Sequence, residues 1–167
     1  GLGGQSILAR SIGVVPQVVN NWLARGNVPA DHCPAIERAT NGAAWAGLQN
    51  AGQSCGGVER IYVHESIYQS FVDLLATKVK ALRHGAASAG CAVDIGAMTT
   101  AKQRMTVERQ VANAIAEGAT VIAESRRVGD HNGEFHPALL MTDVTHDMSL
   151  MRDETFGPVL PVMSFRT

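Results

Sequence analysis

From Val58 to Phe165 the sequence alternates strand-like and helix-like stretches, and this alternation restricts the fold more than any other feature of the 167 residues. Val58-Glu59-Arg60-Ile61-Tyr62-Val63 reads as a strand, and the stretch from Ile67 to Leu82 reads as a helix. The Gly/Ala/Ser-rich run from Gly85 to Gly90 reads as a loop. A second amphipathic helix is predicted over 100–117, with Val107, Val111, Ala114 and Ile115 inward and Gly118 ending it. Strands follow at 120–123, 137–141 and 159–165, with the charged stretch 124–133 as a loop. Strands and helices in this order imply an α/β sheet buried on both faces.

Ahead of Gly42 the period is different. Gln5 to Ile12 carries Ile7, Leu8 and Ile12 at helical spacing, Gly13 breaks the run, and Val18, Val19, Trp22 and Leu23 begin a second helix behind Pro16. Gly26 stops that helix, and a third is expected from Ala30 to Thr40 with Ile36 inward. A further short helix runs from Ala43 to Gln49. No linker rich in Pro, Ser or Gly separates the two regimes, so the stretch around Gly42 reads as a junction between residues 1–41 and 42–167.

Composition excludes several classes. With 46% hydrophobic and 17% charged residues and a net charge of −1, the chain has the make-up of a soluble globular protein. No run of eighteen apolar residues suggests a membrane span, and the first residues lack the pattern of a signal peptide. Cys33, Cys55 and Cys91 are odd in number and widely spaced, which fits neither a disulfide framework nor a zinc site and makes a reducing cytoplasm the default location. No metal-ligand cluster and no glycine-rich phosphate loop occurs. His64 and His146 are lone histidines of the kind that is more often structural than catalytic.

One cysteine stands apart. A free cysteine is most often a small buried hydrophobe, but Cys55 sits in Leu48-Gln49-Asn50-Ala51-Gly52-Gln53-Ser54-Cys55-Gly56-Gly57-Val58-Glu59, ahead of a strand and with three glycines in reach. A thiol in that setting is open to a substrate carbonyl. Arg60 is the nearest cation in sequence, and Gln53 is suited either to line the site or to brace the loop. This run, with Val58 to Tyr68, Asp94-Ile95-Gly96-Ala97-Met98, Asp143 to Met148 and Glu154-Thr155-Phe156-Gly157-Pro158-Val159, resembles the NAD(P)-dependent aldehyde dehydrogenases over roughly residues 42 to 167.

The resemblance implies an oxidoreductase that converts an aldehyde to an acid with NAD or NADP. It makes Cys55 the nucleophile, whose backbone N–H helps to stabilise the oxyanion. Glu154 becomes the carboxylate that holds the nicotinamide ribose, and Phe156 a neighbour of the nicotinamide ring. It also implies a partial catalytic domain. The family's nucleotide-binding domain, the stretch supplying its general base and the asparagine of its oxyanion hole have no counterpart among these residues, and Thr167 falls ahead of the part that carries the oligomerisation strand. These residues alone are therefore expected to be inactive, because the general base and the nucleotide-binding domain are missing, and the resemblance implies a small aldehyde as substrate. The oligomeric state is open.

The first 41 residues resemble Cro-type repressors and related phage or antitoxin regulators, through Leu8 to Gly13, Val19 to Gly26 and Cys33 to Thr40. The resemblance implies a helix-turn-helix contacting DNA through residues 5–26. Gln17, Asn20 and Asn21 would face base edges, and Arg25 would meet phosphate. Arg10, Arg25 and Arg38 against Asp31 and Glu37 leave this segment at only +1, a weak electrostatic footprint for DNA. A DNA-binding regulator with a non-catalytic C-terminal body is the alternative function.

Overall fold

The structure, a computed structural model, describes residues 33–86, 93–129 and 132–166. Gln17, Asn20, Asn21 and Arg25, the expected helices over 5–26 and Cys91 lie outside the described residues.

Helix α1 covers Cys33–Leu48 and runs through Gly42 without a break. The expected separation into one helix ending at Thr40 and another starting at Ala43 is thereby corrected. A glycine inside a helix costs about 1 kcal/mol relative to alanine, and packing outweighs that cost here. Ile36, Thr40 and Leu48 are buried along one side of α1, and Ile36 shares an apolar cluster with Phe71, Leu75 and Leu160. The described part of the N-terminal unit therefore enters the main core through Ile36 and Thr40. At Gly47 an added Cβ would stand 2.3 Å from Leu160 Cδ2 and 2.7 Å from Val58 O, so glycine lets α1 lie directly against the sheet.

A short 3-10 turn, Gln49–Gly52, ends α1. Strand β1, Ile61–His64, then leads straight into α2, Glu65–Ala81. His64 makes that corner, because its Nδ1 accepts the Ser66 N–H at 3.2 Å and its buried ring stands edge-on to Phe165. Phe71, Val72, Leu75, Ala76 and Val79 form the buried stripe of α2.

Next come β2 (Arg83–Gly85), α3 (Ala101–Ala116), β3 (Thr120–Glu124), β4 (Arg126–Val128), β5 (Leu139–Thr142), the single-turn α4 (Ser149–Arg152) and β6 (Val159–Phe165). The main sheet has the order β1-β6-β5-β3. Its β1–β6 and β6–β5 pairs are parallel, and β3 runs antiparallel to β5 across a bulge between Val121 and Ala123. Alternation along the inner strands divides the core between the two faces. Leu140, Leu160 and Val162 face α1 and α2, whereas Leu139, Met141 and Val159 join Val107, Val111 and Met148 on the side of α3 and α4. Covered on both faces, β5 is buried along its whole length.

Two expectations change here. The loops expected over 85–90 and 124–133 contribute Gly85 and Arg126–Val128 to a small parallel sheet of β2 and β4. Three-residue strands carry no readable period. A buried contact ties this sheet to the larger one: His84 Nδ1 lies 2.9 Å from Ser125 Oγ, which accepts the Ala138 N–H at 2.8 Å. On α3, Ile115 is 49% exposed rather than inward, while Gln110 is buried. The inward face passes through Val107, Gln110 and Ala114, which leaves Ile115 about 100° away from Ala114 around the axis. No helix among the described residues is long and apolar enough to cross a membrane.

Candidate active site

Cys55 is exposed on a turn immediately after the 3-10 turn. Three successive residues there, Asn50, Ala51 and Gly52, have φ of 53°, 55° and 71°. For a residue with a Cβ the left-handed region costs roughly 1–2 kcal/mol, so the turn needs partners. Two of its own amides supply them. Asn50 Nδ2 donates to Gln53 O and Gln53 Nε2 donates to Asn50 O, both at 3.0 Å. Gln53 Oε1 accepts the Thr99 N–H at 2.8 Å, which fastens the turn to the segment ahead of α3. Gln53 therefore braces the loop. Beyond it, the Gly57 N–H donates to Ser54 O at 3.0 Å and the Val58 N–H to Ala46 O at 3.1 Å. Apart from its chain neighbours, no atom lies within 4 Å of the position a Cβ would take at Gly56, so the space there is open next to the exposed Cys55.

The second loop of the site, Asp153–Pro158, touches this turn. A Cβ at Gly52 would stand 2.1 Å from Gly157 O, a separation that only glycine permits. Glu154 is exposed, Thr155 is buried, and Phe156 is half-buried with φ of 47°. Among the described residues, the Glu154 carboxylate takes part in no ion pair. Its backbone is firmly held: Gln110 Nε2 donates to Glu154 O at 3.3 Å and Gln103 Nε2 to Thr155 O at 2.8 Å. Glu59 Oε1 accepts the N–H groups of Thr155 and Phe156 at 3.0 and 2.8 Å. Arg60 donates from Nε to Met151 O at 2.5 Å and from Nη2 to Asp153 O at 2.7 Å.

The structure thus brings Cys55, Gln53, Glu154 and Phe156 onto two adjoining loops, and it turns Arg60 towards Met151 and Asp153. His64 caps α2, and the exposed His146 lies 3.0 Å from the Tyr62 hydroxyl. Glu59, Gln103 and Gln110 were not singled out from the sequence. Thr100-Ala-Lys-Gln103 has the pattern of a helix capping box, and Thr100 does cap α3 by accepting the Gln103 N–H. The Gln103 side chain, however, reaches the second loop. Among the described residues no group of three or more His, Cys, Asp or Glu is placed to hold a metal ion.

Residues 30–167 match the family model described as "Aldehyde dehydrogenase family". This chain belongs to the aldehyde dehydrogenase family. It is 39% identical over 118 residues to the lactaldehyde dehydrogenase of Escherichia coli (strain K12), covering 71% of this chain and 24% of that enzyme. It is 39% identical over 124 residues to the NADP(+) succinate-semialdehyde dehydrogenase of Mycobacterium avium (strain 104), covering 74% and 26%. The structure of a Bacillus cereus aldehyde dehydrogenase in complex with NAD+ superposes with a TM-score of 0.70 at 34% identity, covering 79% of this chain and 26% of that one. The aldehyde dehydrogenase match therefore spans about a quarter of the length of these relatives. A second family model, described as "Bacterial toxin YdaS", matches residues 1–45 and includes the segment read as a helix-turn-helix.

The Mycobacterium avium enzyme is named for NADP(+), and the Bacillus cereus structure is a complex with NAD+. The exposed Glu154 carboxylate, which has no ion-pair partner among the described residues and stands on a loop whose backbone is held by Glu59, Gln103 and Gln110, fits the hydroxyls of a ribose. The open space at Gly56 fits a group brought up to the thiol.

Proposed function

We propose that this chain carries the nucleophile turn and the ribose-holding loop of an NAD(P)-dependent aldehyde dehydrogenase site. The observation that supports this most directly is the packing of Gly52 against Gly157, which sets an exposed Cys55 beside the loop of Glu154 and Phe156. In this reading the Cys55 sulfur attacks the carbonyl carbon of a small aldehyde, and the oxygen that gains the electron pair takes a hydrogen bond from the Cys55 N–H. Glu154 holds the ribose hydroxyls, and Phe156 flanks the ring. A bound nicotinamide supplies the hydride acceptor.

These 167 residues hold no assigned general base and little of a nucleotide site, so alone they turn over aldehyde no faster than background. Removing a catalytic group commonly costs a factor of about a hundred or more. Cys55 reactivity can be tested without a cofactor. With p-nitrophenyl acetate the sulfur forms a thioester and p-nitrophenolate leaves. Acylation at Cys55, read by peptide mass spectrometry and absent in Cys55→Ala, is expected, with no aldehyde-dependent NAD(P)H formation. An unmodified Cys55 would overturn the reading, and Cys55-dependent turnover of an aldehyde would overturn the expected inactivity.

The match to the YdaS toxin model over residues 1–45 favours a second role for the N-terminal segment. In that reading residues 1–41 are a helix-turn-helix of Cro type that contacts DNA through Gln17, Asn20, Asn21 and Arg25, with 42–167 as the partial catalytic domain. Salt-dependent, sequence-selective gel shifts on a palindromic operator library are expected, and their absence would remove this role.

A further inference from the structure

We propose that Glu59 and Arg60 form a backbone clamp that registers the Glu154 loop to the Cys55 turn, which makes both of them positioning residues. The inference rests on the dehydrogenase reading of the site for its functional meaning and on geometry for its substance.

Four backbone groups between Met151 and Phe156 are bonded to this one dipeptide. The Glu59 carboxylate accepts the N–H groups of Thr155 and Phe156. The Arg60 guanidinium donates to the carbonyls of Met151 and Asp153. All four contacts are to main chain, so the clamp fixes the path of the loop whatever its side chains are. The Phe156 N–H belongs to a left-handed residue, φ 47°, and a charged acceptor at 2.8 Å helps to hold that conformation. From the opposite side Gln103 and Gln110 hold the carbonyls of Thr155 and Glu154. The Glu154 peptide unit is thus anchored while its carboxylate has no ion pair among the described residues.

The other end of the clamp is the Cys55 turn. Glu59 follows Cys55 by four residues, and the bonds from Gly57 to Ser54 and from Val58 to Ala46 leave little slack between them. A displacement of the thiol turn is therefore carried through Val58 into Glu59, and from there to the Thr155 and Phe156 amides. The sequence separations across the clamp are 91 to 97 residues, so no local pattern produces this coupling.

The test follows the amide resonances of the full chain before and after iodoacetamide treatment, in which the Cys55 sulfur displaces iodide. A Cys55→Ala chain treated in the same way serves as the blank for the other cysteines. In the wild type, the Thr155 and Phe156 amides are expected to shift relative to the blank. Glu59→Gln retains an acceptor oxygen and keeps the response. In Glu59→Leu the response is lost, and hydrogen-exchange protection at these two amides falls by about tenfold or more, the scale of one lost charged hydrogen bond. Unmoved Thr155 and Phe156 amides in the alkylated wild type overturn the proposal without any variant having to fold. Persistence of shift and protection in Glu59→Leu also overturns it. Glu154→Gln separates the clamp from the reading it rests on. That variant leaves the amide response in place whether or not it changes nicotinamide nucleotide binding.

Discussion

The turn that presents Cys55 and the loop that presents Glu154 adjoin each other but are stabilised differently. The turn is held largely by residues within it: Asn50 and Gln53 exchange amide bonds across three residues, and they brace the left-handed run Asn50-Ala51-Gly52. The loop is held by side chains distant in sequence, with Glu59, Arg60, Gln103 and Gln110 reaching it across 44 to 97 residues. Under the proposed function, the short-range frame holds the nucleophile and the loop aligned from a distance receives the cofactor. Loss of a side-chain brace within the turn should therefore stay local, except at Gly52 where the turn meets the loop, whereas the order of the loop depends on the α/β core.

Gly52→Ala should have the largest effect, because it strikes the point where the two regions meet. The new methyl group would lie 2.1 Å from Gly157 O on a residue with φ of 71°. Backbone strain and a backbone clash together predict a loss of more than about 3 kcal/mol, a large share of a typical domain's 5–15 kcal/mol. Urea denaturation measures it, and a loss below about 1 kcal/mol would mean that the loops separate easily.

A pair of side-chain truncations sharpens the contrast. Gln53→Ala removes a brace from each end of its amide and leaves the Thr99 N–H without that acceptor. It should cost about 2 kcal/mol and speed exchange of the Asn50–Gly56 amides more than those of the loop. Gln103→Ala should cost about 1 kcal/mol and act in the reverse order, loosening Thr155 and Phe156. Equal effects of both variants on both regions would show that turn and loop form a single unit.

Acid should produce the smallest and least local change. Burial pushes the imidazoles of His84 and His136 below their ordinary value of 6.5, and both lie outside the two loops. The folded chain therefore favours the neutral rings, while the unfolded chain takes up protons more readily. This contribution to stability is complete above about pH 6.5 and declines as the pH falls below it. Urea midpoints should drop between about pH 7.5 and pH 5.5, with a flatter profile when both histidines are replaced by Gln. An unchanged slope in that double variant would assign the acid sensitivity to other groups.

Local chemistry in the sequence determined a good deal of this protein. The strand over 159–165, the helices close to 65–81 and 101–116, the α/β alternation and the motifs around Cys55 and Glu154 were all legible. Periodicity, caps and turn glycines act between residues at most a few positions apart, and such signals survive in a linear text. Tertiary structure decided the rest. It carried α1 through Gly42 because Ile36 and Thr40 have a core to enter, paired β2 with β4 in stretches too short to show a period, and left Ile115 outside because Gln110 has a carbonyl to reach. The same holds for the left-handed Phe156 and the direction of Arg60. Their partners stand more than ninety residues away in the chain, so no neighbouring residue could announce them.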